Sequence, residues 1–265
     1  MANGSTGTRL TVTGLWIDGA ALLRPNLSNV IWIAAMFLFL PQLAVDILLQ
    51  KPTVPTLPGA GTLAAITLVF VVGLVGQLAS IAILLGGSGS PQTIGDAIRR
   101  GFQIAPRALL ALLLVFACLL PAILAFGAAS AALGVNPAQM AKPTLSLSLL
   151  LMAFTAFMVA CAARLVPLNA VLVSEQHAAW PSVRRAWAIS KDAGWAIAGF
   201  LLTLMLALYA TAGLLNMVGG VVVGLLFGGS VVGKLILATL TAAVSTGFSL
   251  ISLSTGVVTY RKLAK

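Results

Sequence analysis

The chain has 265 residues, of which 60% are hydrophobic and 8% charged, and its mean hydropathy is +1.10. A soluble domain carries roughly a quarter charged residues, so this composition excludes a water-soluble globule and predicts a membrane protein. Its 15 Lys and Arg against 5 Asp and Glu give a net charge of +10, an excess that in a multi-pass protein reflects the cytoplasmic leaflet and its anionic lipids rather than nucleic acid.

Six continuously apolar runs are each long enough to cross a bilayer, which takes about 20 residues of helix. Their approximate bounds are 29–49, 61–85, 106–133, 145–173, 194–215 and 235–260. The runs lack the alternation of transmembrane β-strands, so they predict an all-α polytopic protein. Residues 1–8 are small and polar and are expected to be flexible, and no short apolar core with a cleavage site follows them. The first run is therefore interpreted as a retained helix and not as a signal peptide.

Basic residues indicate how these helices are oriented. An even number of spans places both chain ends on one side of the membrane. Only three of the 15 Lys and Arg flank the runs on the other side, namely Lys51, Lys142 and Lys234. The positive-inside rule then predicts that both termini lie in the cytoplasm.

Three segments that precede the odd-numbered runs resemble one another, at residues 16–24, 94–102 and 182–189. The second and third align best, because each has two arginines followed by a small and an aromatic residue. Each segment fits a short amphipathic helix at the membrane surface. The predicted unit is one interfacial helix plus one transmembrane hairpin, used three times over residues 11–88, 89–175 and 176–265 of a single membrane domain. Ordinary basic loops are the alternative.

Arg164 is the candidate site residue that the sequence singles out, because it lies inside the fourth apolar run. A charge at bilayer depth is costly unless it is paired, hydrated or able to reach the interface. Two interpretations stay open: Arg164 snorkels or staples helices together, or it binds a lipid or another ligand. Its expected partners are Asp18, Asp96 or a lipid phosphate. The other candidates for contact with lipid headgroups are Arg99, Arg100, Arg184, Arg185 and Lys191.

Gly220, Gly224 and Gly228 lie at four-residue intervals between the last two runs. Small residues at this spacing let helices approach closely in lipid, so these three are predicted helix-packing positions. The connection that contains them, residues 216–234, is apolar but too short for another crossing with its turns. An outer-surface cap, a packed extension of a helix and a re-entrant segment all fit it.

The chain offers few groups for catalysis. It has one histidine, His177, in a polar connection, and its five acidic residues are spread along the sequence. No HExxH pattern and no acids with metal-ligand spacing occur, and Cys118 and Cys161 lie in apolar runs, where cysteine behaves as a small hydrophobe. The sequence therefore predicts no enzyme, no metal site and no cofactor. An enzyme would need Glu175, His177 and an aspartate to converge on one cavity.

A recurrent pattern covers about the last 100 residues. It comprises Arg-Leu-Val-Pro at 164–167, Glu175, the basic segment 182–190 that ends in serine, Trp195 and the terminal Tyr260-Arg261. This pattern resembles the YciC-like bacterial inner-membrane proteins and is similar to the membrane domain fused to some glycerophosphodiester phosphodiesterases. The resemblance implies a six-helix protein of the bacterial inner membrane without established enzymatic chemistry. Because only residues 261–265 follow the last run, phosphodiesterase activity itself is not expected.

Together these features predict a non-enzymatic inner-membrane protein that contacts anionic lipids through a basic cytoplasmic surface. Its expected role is in envelope or membrane organisation, or as an accessory subunit beside a partner membrane protein or in a homo-oligomer, with no nucleic-acid partner. The alternative is a transporter or lipid-translocating protein. A polar cavity at mid-membrane around Arg164 would favour that alternative, although few polar residues lie in the runs, the notable ones being Gln77, Asn169 and Asn216.

Overall fold

The computed structural model describes residues 10–48, 59–86, 93–133, 145–175, 177–228 and 230–264. These residues are almost entirely helical, with no strand among them. Six of their helices are long and apolar enough to cross a membrane. They are Val12–Val45, Ala60–Leu85, Ile94–Ala132, Leu145–Ser174, Gly194–Phe227 and Val231–Leu263. The prediction of an all-α, multi-pass membrane protein with six spanning helices is confirmed.

Two local changes in winding divide the first of these helices. It consists of α1 (Val12–Leu23), a 3-10 turn (Arg24–Asn26), α2 (Leu27–Ala34), a π-helical turn (Ala35–Phe39) and α3 (Leu40–Leu48). Pro25 lies at the start of the 3-10 turn, where a missing N–H breaks no hydrogen bond. Pro41 is the second residue of α3 and lies two residues after the π-helical turn. The wider turn fits this position, because proline has no N–H to donate and its ring would crowd the carbonyl four residues earlier in a regular helix.

The described residues after α3 form eight further α-helices, and the fourth span is broken near its end. In chain order they are α4 (Ala60–Leu85), α5 (Ile94–Ala132), α6 (Leu145–Leu165), α7 (Leu168–Ser174), α8 (Ala179–Ile189), α9 (Gly194–Leu214), a π-helical turn (Leu215–Gly219), α10 (Gly220–Phe227) and α11 (Val231–Leu263). The break between α6 and α7 lies at Pro167. By contrast, α5 passes through Pro106 and Pro121 unbroken, which membrane helices allow when neighbouring groups satisfy the freed carbonyls.

At one end of the bundle, α1 lies beside the C-terminal end of α11. This end is called here the basic end. Lys262, near the end of α11, forms an ion pair there with Asp18 of α1. Lys234, in the first turn of α11, lies at the opposite end, because α11 has 33 residues and rises about 1.5 Å per residue. Lys51, Lys142 and the predicted flexible segment 1–8 lie outside the described residues.

The buried core lies at the basic end. Its larger cluster of buried side chains comes from residues 30–34 of α2, 74–84 of α4, 97–111 of α5, 168–173 of α7, 179–189 of α8 and 250–257 of α11. A smaller cluster is centred on Phe200 of α9 and includes Leu15 of α1. Residues 60–73 of α4 and 112–132 of α5 are exposed or only partly buried. The helices therefore pack closely at the basic end. In the half of the bundle away from that end, their apolar side chains are exposed on the outer surface. In hydrocarbon such side chains need no burial, because lipid tails are as apolar as leucine.

The three segments predicted to be interfacial helices join the spans in different ways, and α1 leads through the 3-10 turn directly into the rest of the first span. The first is α1 and the third is α8, whereas the second forms the start of α5 and runs on into the third span. The 3-10 turn ends α1, and the turn after Ser190 ends α8. The corresponding stretch of α5 contains Pro106 and stays helical, since a single proline does not end a membrane helix that its neighbours support.

Equivalent positions of the second and third segments have matching surroundings. Arg99 and Arg184 are both exposed, and Gly101 and Ala186 are both buried. This agreement supports the alignment of those two segments, and the threefold repeat stays a prediction.

The connection 216–234 is helical for most of its length and extends the fifth span. α9 continues through the π-helical turn into α10, and α11 begins two residues after residue 229. Among the three structures that the sequence allowed, this is the helix extension. α10 ends at Phe227, and the φ of 59° at Gly228 directly after it is one that glycine adopts without a steric penalty.

The structure does not use Gly220, Gly224 or Gly228 to pack helices within this chain. A Cβ placed on any of the three would meet no atom within 4 Å, although α10 itself packs against α11, where a Cβ on Gly233 would lie 2.8 Å from a Val223 methyl group. Close approach to a neighbouring backbone occurs, for example, at Gly101, where a Cβ would lie 2.8 Å from the carbonyl oxygen of Val75. The packing role of the three glycines stays a prediction, because such a contact depends on which face of the helix meets a neighbour.

Candidate functional site

Arg164 lies in the last turn of α6 and binds the end of α8. Its Nη1 donates to the carbonyl oxygen of Ser190 at 2.9 Å, and the Ser190 hydroxyl donates to the carbonyl oxygen of Arg164 at 2.8 Å. The guanidinium carbon also lies 5.9 Å from the centre of the Trp187 ring, within cation–π range. Gly194 leaves room for the group, since a Cβ there would lie 3.3 Å from Arg164 Cζ. Arg164 thus joins α6 to α8, as the stapling interpretation expects.

The two aspartates expected beside Arg164 have other partners. Asp18 pairs with Lys262. Asp96 accepts a hydrogen bond from the Thr93 hydroxyl at 2.6 Å, at the start of α5. In the described part of the chain, Arg164 therefore has backbone and aromatic partners and no acidic one.

Two further arginines bind the C-terminal carbonyl groups of neighbouring helices. Arg100 Nη2 donates to the carbonyl oxygen of Val173 at 2.8 Å, near the end of α7. Arg261 Nη2 donates to the carbonyl oxygen of Leu84 at 2.7 Å, near the end of α4. The last carbonyls of a helix lack partners in their own helix and carry the negative end of its dipole. These two cations therefore stabilise helix ends, a role that their position in the sequence alone does not reveal.

Glu175 is the centre of a polar cluster after α7. Its Oε1 accepts a hydrogen bond from the Tyr260 hydroxyl at 3.1 Å and lies 3.6 Å from Arg185 Nε, and its Oε2 lies 3.3 Å from His177 Nε2. Its side chain is 17% exposed. No group of three His, Cys, Asp or Glu side chains that could hold a metal ion occurs among the described residues. Glu175 and His177 do meet, but the described part of the cluster contains no aspartate.

Arg99, Arg184 and Lys191 are the candidate cations left open to a ligand. All three are exposed, and none of their side chains forms an ion pair or hydrogen bond with another described residue. Arg185, by contrast, shares Glu175 with Tyr260. The structure thus divides the predicted headgroup-binding residues into those that hold the protein together and those whose charge is available at the surface.

An apolar groove of about 520 Å³ ends at Arg184. It lies between α5, α6 and α8, and it is lined chiefly by aliphatic and aromatic side chains. Trp180 and Trp187, each nearly half exposed, lie beside Arg184 at its basic end. Along α6 the lining runs from Phe157 to Leu165, about 12 Å at 1.5 Å per residue. The groove therefore reaches from the level of the cations toward the middle of the bundle.

A second apolar groove, of about 570 Å³, lies between α6 and α9. Arg164 and Trp195 lie at its basic end, and Trp195 is 93% exposed. The rest of its lining is almost wholly apolar, from Leu151 on α6 to Leu202 on α9. The groove beside Arg164 is thus apolar, and it is not the polar mid-membrane cavity that would favour a transporter at this position.

Residues of the recurrent pattern in about the last 100 positions meet in space at the basic end. Arg164 contacts Ser190, and Glu175 contacts Tyr260, 85 positions later. No family model, no curated protein and no solved structure matches the chain, so the resemblance stays a prediction. What the helices themselves establish is the class to which the chain belongs, that of multi-pass α-helical membrane proteins.

Proposed function

We propose that this chain is a non-enzymatic protein of the bacterial inner membrane that binds anionic phospholipid at its basic end. Its role is to organise the membrane, or to serve as a lipid-binding accessory subunit beside a partner membrane protein or a second copy of itself. The observation that carries the proposal is the exposed guanidinium of Arg184 at the end of an apolar groove.

This arrangement matches the two parts of a phospholipid. An acyl chain fits the apolar groove between α5, α6 and α8, while the phosphate meets the guanidinium, which binds phosphate through a fork of donors. Trp180 and Trp187 are of the residue type enriched where hydrocarbon meets headgroups. Arg99 and Lys191 add exposed positive charge on the same end. Each such cation near an anionic membrane surface contributes about 1 kcal/mol of attraction.

The basic end faces the cytoplasm in this proposal. The described cations with contacts at that end include Arg100, Arg164 and Arg261, whereas Lys234 lies at the opposite end. Cytoplasmic segments of membrane proteins carry the excess of Lys and Arg. The cytoplasmic leaflet also carries anionic lipids. The excess of Lys and Arg at the basic end therefore accounts both for the proposed orientation of the protein and for its proposed lipid ligand.

A quenching experiment tests the lipid site. The purified chain is placed in phosphatidylcholine nanodiscs, and brominated phosphatidylglycerol or brominated phosphatidylcholine is added in steps while tryptophan fluorescence is recorded. Phosphatidylglycerol is expected to quench at lower mole fraction, because Trp180 and Trp187 border the groove. Arg184→Gln is expected to reduce this preference about fivefold, the equivalent of about 1 kcal/mol.

Two control variants separate site binding from general charge. Lys234→Gln removes the same charge at the opposite end and is expected to leave the preference unchanged. Arg184→Lys keeps the charge but loses the fork of donors, and it is expected to fall between the wild type and Arg184→Gln. Equal preference for phosphatidylglycerol in the wild type and Arg184→Gln would reject the lipid site.

A further inference from the structure

A cavity of about 350 Å³ with several polar side chains in its mainly apolar lining lies between α3, α4, α7 and α11, away from both apolar grooves. Its polar lining consists of three amides and three hydroxyl groups, those of Gln42, Gln77, Asn169, Ser245, Thr246 and Ser249. On α4 the lining runs from Val69 to Gln77, and the helix ends at Leu85. These residues are about 12–24 Å from that end at 1.5 Å per residue, so the cavity lies within the hydrocarbon layer.

Two of the amides have no partner in the described part of the chain. Nothing there hydrogen-bonds to the side chains of Gln77 or Asn169, and both residues are only partly exposed. An amide left unpaired in an apolar medium is costly. Polar side chains that merely join membrane helices bond to one another across the interface, and these two do not. They are therefore placed to hydrogen-bond with a polar guest in the cavity.

The helices that line the cavity are interrupted at its wall. Gln42 follows Pro41 and the π-helical turn Ala35–Phe39, and Asn169 lies two residues after the break at Pro167. π-Helical turns occur frequently at functional sites. Interrupted membrane helices are where transporters bind their substrates. The two interruptions thus provide a second observation, independent of the amides, that this is a binding site.

The cavity is closed toward the basic end. Leu78 and Ile81 of α4, Val171 of α7 and Val257 of α11 are at most 2% exposed and fill the space below it. In the other direction, the residues of α4 that precede Leu74 are exposed or partly buried. A guest therefore enters from the half of the bundle opposite the basic end.

The lining also defines the chemistry of the guest. No charged side chain lines the cavity, and a charged guest at this depth would lack a counter-charge. Amides and hydroxyls each offer donors and acceptors together, which is what a hydroxyl group needs. Phe37 and Phe70 add flat apolar faces against which the C–H groups of a polyol pack. We propose that the cavity binds a small uncharged polyol, as a free solute or as the headgroup of a glycolipid.

Equilibrium dialysis of the full chain in nanodiscs tests this proposal. Radiolabelled glycerol, myo-inositol and glucose are the free probes, and monoglucosyl diacylglycerol, measured by native mass spectrometry, is the lipid probe. Saturable binding of at least one probe is expected. Gln77→Leu and Asn169→Leu are each expected to weaken it about five- to tenfold, since each removes a hydrogen-bonding partner. Asn216→Leu makes the same chemical change outside the cavity, where the amide donates to Ala212 within its own helix, and is expected to bind normally.

The outcomes separate the two sources of the polyol and can overturn the site. If a free probe binds and both cavity variants weaken its binding, the ligand is a free solute. If only the glycolipid binds and both variants weaken its binding, the ligand is a lipid headgroup. Absence of saturable binding of all four probes, or equal binding by the wild type and both cavity variants, overturns the proposal. Arg184 is not part of this lining, so failure here leaves the anionic lipid site untouched.

Discussion

Gly101 of α5 lies where this helix passes close to α4, and one added methyl group there tests the packing of the basic end. The Cβ of Gly101→Ala would lie 2.8 Å from the carbonyl oxygen of Val75 and 3.3 Å from the backbone nitrogen of Ala79. Ordinary contact begins at 3.4 Å, so the helices must separate by about half an ångström in a closely packed region. Both neighbours are backbone atoms, which cannot rotate away.

The expected change in the free energy of unfolding of Gly101→Ala is the sum of two opposing effects. Overpacking a close contact costs about 1–3 kcal/mol. Alanine gains up to about 1 kcal/mol over glycine in helix propensity, so a net loss of about 1–2 kcal/mol is expected. Gly127→Ala is the matched control, because it lies on the same helix and its Cβ would meet no atom within 4 Å. That variant is expected to be neutral or stabilised by up to about 1 kcal/mol.

Unfolding by sodium dodecyl sulfate in mixed micelles, followed by tryptophan fluorescence, measures both variants. Gly101→Ala is expected to unfold at a lower fraction of the detergent than the wild type, and Gly127→Ala at the same or a higher fraction. Equal shifts of the two variants, or a Gly101→Ala protein as stable as the wild type, would refute the close contact between α4 and α5.

Three further outcomes follow from the contacts at the basic end. Arg164→Gln is expected to lower the free energy of unfolding by about 2–3 kcal/mol in the same titration, because it removes a charge-assisted hydrogen bond and a cation–π contact. Asp18→Asn is expected to change that free energy by less than about 1 kcal/mol, since its pair with Lys262 is partly exposed. In a chain without its native cysteines, single cysteines at Arg184 and Ser230 are expected to react with a membrane-impermeant thiol reagent from opposite faces of the membrane. Their helices place them at opposite ends of the bundle.

Each of these outcomes has its own contrary result. Arg164→Lys keeps the positive charge and is expected to retain part of the stability. Equal losses of stability in the Lys and Gln variants would show that the charge itself contributes nothing to this contact. A loss in Asp18→Asn as large as that in Arg164→Gln would contradict the ranking of the two contacts. Labelling of both cysteines from the same face would contradict the arrangement of α8 and α11.

The contrast between Arg99 and Arg100 shows what hydropathy and charge leave open. The sequence predicts that both lie at the same membrane surface, and it gives them the same chemistry. In the structure Arg99 is exposed, whereas Arg100 donates to Val173 at the end of α7. One position along a helix turns a side chain by about 100°, so the neighbouring helix decides which of the two is bound by protein. The same holds for Arg184 and its neighbour Arg185.

Polar residues inside the spans show the same division. The sequence identifies Gln77 and Asn169 as unusual in apolar runs, but it does not show that they line one cavity with Ser249, 80 positions beyond Asn169. Likewise, the chain has 26 glycines, and only the arrangement of the helices shows that Gly101 lies against a neighbouring backbone while Gly220 does not.

The amino-acid sequence by itself determines that six helices cross the membrane and that the positive charge gathers near their ends. It can do so because the transfer of each residue into hydrocarbon has a free energy that depends mainly on that residue and its near neighbours along the chain. Tertiary structure alone decides which arginine binds a helix end, which cation stays open to phosphate and which amides share a cavity. Those properties depend on side chains from different helices meeting in space, and the distance between them in the chain does not specify that meeting.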